Sequence, residues 1–256
     1  MSNLLEGKTA LVLGIANRWS LAYAIGQAFA REGAHLVLTY LGEKQRDAIT
    51  DLSRELPVTA ILPCDVTKEE NLANLSEALG KLGKPVDAVV HSLAFANRED
   101  LGRPFLETAR SGFLLALDVS AYSLVAVARA ASPHMSAGGS LITLTYLGST
   151  RVVPNYNVMG VAKAALEAAV RYLASDLGPR NIRVNAISAG PVKTASARAI
   201  KDFSSVLDAV SSRAPLRRNT DPAEVADTAV FLASDLGRGV TGNVLFVDAG
   251  MQIMGL

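Results

Sequence analysis

An α/β fold with a doubly wound parallel sheet is the class this sequence predicts, on three observations. Short runs rich in Val, Ile and Leu recur between longer amphipathic stretches, as when parallel strands are buried on both faces under crossover helices. Half of the 256 residues (50%) are hydrophobic, enough for one large core. No repeat, low-complexity tract or linker divides the chain, so residues 1–256 read as a single domain.

The elements follow in order. Thr9–Leu13 reads as a strand, Gly14–Trp19 as a turn, and Ser20 as the N-cap of a helix over Leu21–Arg31 that stops at Gly33. His35–Thr39 is the second strand; further strands are expected at Thr59–Leu62, Ala88–His91, Leu141–Thr145, Arg183–Ile187 and Val244–Val247. Helices are expected near Asn71–Leu82, Phe113–Met135, Val158–Leu177 and Pro222–Ala233, an alternation that makes the fold Rossmann-like. Pro191–Pro215 departs from the pattern, being rich in Ala, Ser and Lys without a strong apolar stripe, and reads as a mobile substrate lid.

Composition narrows the function. The net charge is +1 with both signs scattered, which gives no electrostatic case for nucleic acid or an anionic membrane. Cys64 is the single cysteine, the first residues lack a basic-then-apolar leader pattern, and no apolar run reaches membrane-spanning length, so the expectation is a soluble cytoplasmic protein. His35, His91 and His134 lie far apart without a ligand cluster, and no metal is implied. Cys64 reads as a small apolar packing residue, and Arg213, Arg217 and Arg218 as a modest basic cluster that an acidic carrier could use.

Tyr146, Tyr156 and Lys163 stand out. A phenol followed seven positions later by an ammonium would fall on one face of a helix at about 3.6 residues per turn and address one ligand. A lysine there can bind nicotinamide ribose hydroxyls, and its charge favours an ionised or strongly donating phenol. Tyr156 could then donate to a substrate carbonyl that gains negative charge as hydride arrives. The turn from Gly14 to Leu21 lacks the full G-x-G-x-x-G pattern; a plain strand-to-helix turn and a pyrophosphate-binding turn both fit it. Asp65 and Val66 suit either an adenine contact or a helix cap. The tip of the second strand leaves cofactor choice open between Glu43 and Lys44, with a lean to NADH. His91 through Ala94 ends a strand with small residues that fit a cofactor ribose or plain close packing.

With these residues assembled, the whole chain resembles the enoyl-acyl-carrier-protein reductases of the short-chain dehydrogenase/reductase superfamily. The resemblance rests on Tyr146, Tyr156 and Lys163 with Pro154 through Gly160 between them, on Arg183 through Pro191, and on Val247-Asp248-Ala249-Gly250. Ketone-reducing members place the lysine four residues after the tyrosine, where this chain has Gly160. The resemblance implies an NADH-dependent oxidoreductase of fatty acid biosynthesis that reduces carrier-protein-bound trans-2-enoyl thioesters, with NADPH not excluded, and a homotetramer. It implies pyrophosphate contacts at Gly14, Ser20 and Leu21, an adenosine contact at Leu41, adenine contacts at Asp65 and Val66, and a ribose contact at Leu93. Lys163 becomes the ribose-binding lysine, and Val192, Lys193, Thr194, Ala195 and Ser196 the segment over the nicotinamide and phosphates. Ala96 becomes a substrate contact, Tyr156 the donor to the thioester carbonyl, and Tyr146 the second active-site tyrosine. Carrier docking would lean on Lys201 and Arg198, because Ser204 and Ser205 follow the Lys201-Asp202-Phe203 stretch where relatives carry basic residues. Two competing readings are a keto or aldehyde reductase and a non-catalytic dinucleotide sensor.

Overall fold

The computed structural model describes residues 3–194 and 203–255. Ala195, Ser196, Arg198, Lys201 and Asp202, named above, lie outside the described residues. Seven strands run β1 Thr9–Leu13, β2 His35–Tyr40, β3 Val58–Pro63, β4 Ala88–His91, β5 Gly139–Thr145, β6 Ile182–Ala189 and β7 Val244–Val247. The helices are α1 Leu21–Arg31, α2 Glu43–Ser53, α3 Glu69–Lys81, α4 Arg98–Gly102, α5 Arg110–Leu117, α6 Ser123–Ala131, α7 Val158–Leu177, α8 Phe203–Arg213 and α9 Pro222–Ala233.

All strand pairings are parallel, in the order β3-β2-β1-β4-β5-β6-β7, so the chain reverses its direction of winding between β1 and β4. That switch opens a crevice beyond the carboxyl ends of the strands, where such sheets take their ligands. The β1, β4 and β5 side chains are buried almost throughout, as the continuous apolar runs require. Alternate residues feed two cores: Val12, Leu36, Val90 and Ile142 pack on one face with Ile25, Phe29 and Ala229, and Leu11, Val89, Leu141 and Val184 on the other with Leu75, Leu124 and Leu166.

Three expectations need correction. The α2 helix was missed: its apolar stripe is thin, with only Ile49 and Leu52 buried. The single helix expected over Phe113–Met135 is instead α5, a π-helical turn at Asp118–Tyr122, and α6. The wider turn sets the Ser120 hydroxyl against the β4–α4 loop, where it accepts from Phe95 N–H at 2.9 Å and donates to Phe95 C=O at 3.1 Å. Contrary to the expectation from hydropathy, Arg110–His134 is a 25-residue helical run long and apolar enough to cross a membrane, yet half of its most apolar window is buried inside this fold. It packs as a core helix, with Ala116, Leu124, Val127 and Ala131 buried. Cys64 is buried as expected, and burial pushes its thiol pKa up to about 11.

Candidate active site

The end of β5 and the start of α7 form one wall of the crevice. Tyr146 follows β5 directly, but Tyr156 is not on a helix: α7 begins at Val158. Asn155 and Asn157 hold left-handed backbone with φ of 62° and 41°, which prevents the helix from extending back to the phenol. The Asn157 side chain fixes this turn by donating to Leu101 C=O at 3.0 Å and Arg103 C=O at 2.8 Å. The seven-residue spacing therefore works by a turn feeding a helix, not by a shared helix face. Both side chains reach the same cavity of about 310 Å³ all the same, with Tyr146, Met159, Leu101 and Phe203 around them.

Lys163 is 6% exposed, and its Nζ donates to Leu144 C=O in β5 at 2.8 Å. Burial lowers its pKa to about 8, against an opposing pull from Glu167 one turn further along α7. Tyr156 moves the other way. Desolvation raises its pKa, and Tyr146 and Glu167 add to the rise, so the phenol stays protonated and donates. Of the two states expected beside Lys163, an ionised or a strongly donating phenol, the raised pKa favours the protonated donor. The two tyrosine rings meet edge to face, 5.0 Å apart at 70°.

Glycine makes that contact possible. A Cβ at Gly148 would lie 2.4 Å from the Tyr156 ring, and a Cβ at Gly160 would lie 2.7 Å from Gly148 C=O. No side chain fits at position 160, so the four-residue lysine of ketone-reducing relatives has no room there.

The dinucleotide side is built mainly from backbone. Gly14 adopts φ 97°, and a Cβ there would lie 2.0 Å from Ser92 C=O, so β1 and β4 can approach only through glycine. Ser20 occupies the N-cap position of α1, but its hydroxyl does not cap the helix; it donates to Asn17 C=O and accepts from Ala16 and Asn17 N–H at 3.3 Å. The first α1 amides thus receive no side-chain cap and face the crevice end of the sheet. Leu21, Ala96, Val192 and Thr194 line the reacting cavity, whereas Lys193 and Ser20 line a neighbouring one of about 300 Å³. Leu41, Asp65, Val66 and Leu93 lie outside both cavities, beyond the ends of β2, β3 and β4. Asp65 also organises its own turn, since its Oδ1 accepts from Thr67 N–H at 3.0 Å and Thr67 Oγ1 at 2.7 Å, leading into α3.

Sequence reasoning missed Glu167, which is 7% exposed and accepts from Thr145 Oγ1 at 2.7 Å. The available signal was an acid four residues after Lys163 in an otherwise apolar helix segment. It also left His91 open; the ring bridges Thr143 Oγ1 at 2.9 Å and Ser123 Oγ at 2.8 Å, and burial holds its pKa down at about 3.

Residues 14–252 match the model of the family described as Enoyl-(Acyl carrier protein) reductase. The NADH-type enoyl-[acyl-carrier-protein] reductase FabI of Bacillus cereus is 52% identical over 254 residues, covering 98% of this chain and 99% of that protein. The NADPH-type FabI of Staphylococcus aureus is 50% identical over 250 residues, covering 97% and 98%. The crystal structure of the Bacillus cereus enoyl-acyl carrier protein reductase with NADP+ and indole naphthyridinone superposes with a TM-score of 0.97 over 99% of both chains. That of the NADH-type enzyme from Aquifex aeolicus does so at 0.96 and 43% identity, again over 99% of both chains. Matched across nearly its whole length in sequence and in fold, the chain belongs to the enoyl-acyl-carrier-protein reductase family.

Proposed function

We propose that this chain reduces the double bond of trans-2-enoyl thioesters carried by acyl carrier protein, in fatty acid biosynthesis, with NADH preferred over NADPH. One observation carries the reading: Lys163 and Tyr156 share the wall of one cavity while position 160, flush against Gly148 C=O, admits no side chain. That favours enoyl over ketone reduction and argues against a mere dinucleotide sensor.

The residues fit a nicotinamide dinucleotide. Gly14 leaves the backbone bare where a Cβ would collide, the uncapped α1 amides suit a pyrophosphate, and Lys163 presents its remaining ammonium protons to ribose hydroxyls. Leu41, Asp65, Val66 and Leu93 serve the adenosine end, and Val192, Lys193 and Thr194 cover the nicotinamide and phosphates. When bound, the cofactor would supply a hydride to the β-carbon of the substrate. Tyr156, protonated and buried, donates to the thioester oxygen as negative charge gathers there, stabilising the enolate until a proton from solvent water is delivered to the α-carbon. Tyr146 packs edge-on against Tyr156 and fixes its ring, and Ala96 leaves space for the acyl group. Glu43 opens α2 at the end of β2 and pairs with Arg46 at 3.1 Å beside Lys44, so acid and base stand together where a ribose 2′-phosphate would lie, and the assay with each nicotinamide decides between NADH and NADPH. Exposed Leu114, Tyr122, Val161 and Tyr172 on or beside α5, α6 and α7 support a homotetramer. Val192, Thr194 and Phe203, in the described part of the expected lid, wall the cavity, and the enzyme works in the cytoplasm.

The test is to supply crotonyl and acetoacetyl thioesters with NADH and NADPH in turn and follow nicotinamide absorbance. Crotonyl turnover, faster with NADH, is the expected result; faster acetoacetyl turnover overturns the reading.

A further inference from the structure

A second cavity, of about 740 Å³, adjoins the reacting one, and Tyr146, Ala189, Gly190 and Pro191 wall both. The two differ in chemistry. The first is lined mostly by apolar side chains such as Phe95, Leu101, Met159 and Phe203. The second mixes Val153, Val206 and Met251 with the amide side chains of Asn155 and Gln252, and bears two arginines, Arg151 and Arg213. Both arginines are exposed, and neither forms an ion pair with a carboxylate among the described residues. Asp248 is the acid in this lining, and its oxygens are engaged by Gly250 N–H at 3.0 Å and Gln252 N–H at 2.8 Å.

On the reading that this is an enoyl thioester reductase, we infer that the second cavity holds the phosphopantetheine arm of the carrier-bound substrate, with Arg151 and Arg213 binding its phosphodiester. Complementarity runs along the whole path. A fatty acyl chain offers only methylenes and belongs in the apolar cavity. A pantetheine arm alternates amides with methyl and methylene groups and ends in a monoanionic phosphodiester, which matches amide side chains, apolar patches and two guanidiniums in the second. The thioester then falls at the shared wall, beside Tyr146 and Tyr156. Arg151 stands just before the turn that carries Tyr156, and Arg213 at the last turn of α8, so the carrier would approach across α8 without needing basic residues at Ser204 and Ser205.

The test compares four crotonyl thioesters: N-acetylcysteamine, pantetheine, phosphopantetheine and the acyl carrier protein. In the Arg151→Gln/Arg213→Gln double variant, KM is expected to rise about threefold to tenfold for the phosphopantetheine and carrier substrates while staying within about twofold for the other two. Ala209→Trp, which fills the second cavity from α8, is expected to raise KM for the pantetheine substrate and not for N-acetylcysteamine. An equal rise with and without the phosphate, a rise with the carrier protein alone, no rise at all, or an Ala209→Trp variant indifferent to the arm overturns the assignment. Wild-type turnover of the N-acetylcysteamine thioester reports on the reductase reading separately; if the wild type turns over none of the four, both fall together.

Discussion

The two ends of the crevice are made differently. At the β5–α7 end, chemistry-bearing side chains are buried: Tyr156 and Lys163 are 8% and 6% exposed, and their pKa values move apart, the phenol up and the ammonium down to about 8. The β1–α1 end is bare backbone and exposed surface, with Gly14 tight against Ser92 and Leu41 and Trp19 open to solvent. On the proposed function, the first end would set reactivity through electrostatics and the second affinity through shape. Substitutions at the two ends should therefore separate in kcat and in cofactor binding.

The largest effect is expected at Tyr156→Phe, which should lower kcat for crotonyl thioester about 10²-fold with cofactor Kd nearly unchanged. A normal kcat would break the contrast at its strongest point. Next, Lys163→Met should raise NADH Kd at least about tenfold while raising Tm of the cofactor-free protein by at least about 2 °C, because it removes a charge that burial disfavours. The sign follows from the lowered pKa: the stability associated with a neutral Lys163 is present above the ordinary value of 10.5 and lost as pH falls through about 8, so the ammonium costs the wild type stability at neutral pH. A fall in Tm would mean that Glu167 and Leu144 C=O more than offset the burial. At the other end, Gly14→Ala should destabilise the fold by about 2 kcal/mol and weaken NADH binding, since φ 97° and a 2.0 Å approach to Ser92 C=O leave no room for a methyl group. Denaturant unfolding and titration check the two halves. Leu41→Ala is expected to change NADH Kd by no more than about threefold and stability by less than about 0.5 kcal/mol, as its side chain is 60% exposed.

How much was legible in sequence follows the same division. Strands buried on both faces announced themselves as apolar runs, and every expected strand lies on an observed one. Tyr156, Lys163 and Gly14 were visible because their residue types are unusual for their positions. The means by which Tyr156 and Lys163 converge was not visible, since it depends on Asn155 and Asn157 in left-handed backbone that spacing alone does not encode. Which state of Tyr156 applies, ionised or strongly donating, was hidden as well, because it is decided by burial, which raises the phenol's pKa. Glu167 escaped because its importance lies in being buried beside Thr145, a tertiary fact. The break between α5 and α6 escaped because apolar periodicity does not register a single wide turn held by Ser120 and Phe95.

A protonated Tyr156 beside a cationic Lys163 is the central requirement, and the pH dependence of single-turnover crotonyl reduction at saturating substrate, with NADH held below saturation, reads both groups at once. The rate should be flat below neutrality and fall as pH rises through about 8, when Lys163 loses its proton and its hold on the cofactor. A rate that instead climbs on the alkaline side, as an ionising phenol acting as a base would give, contradicts it.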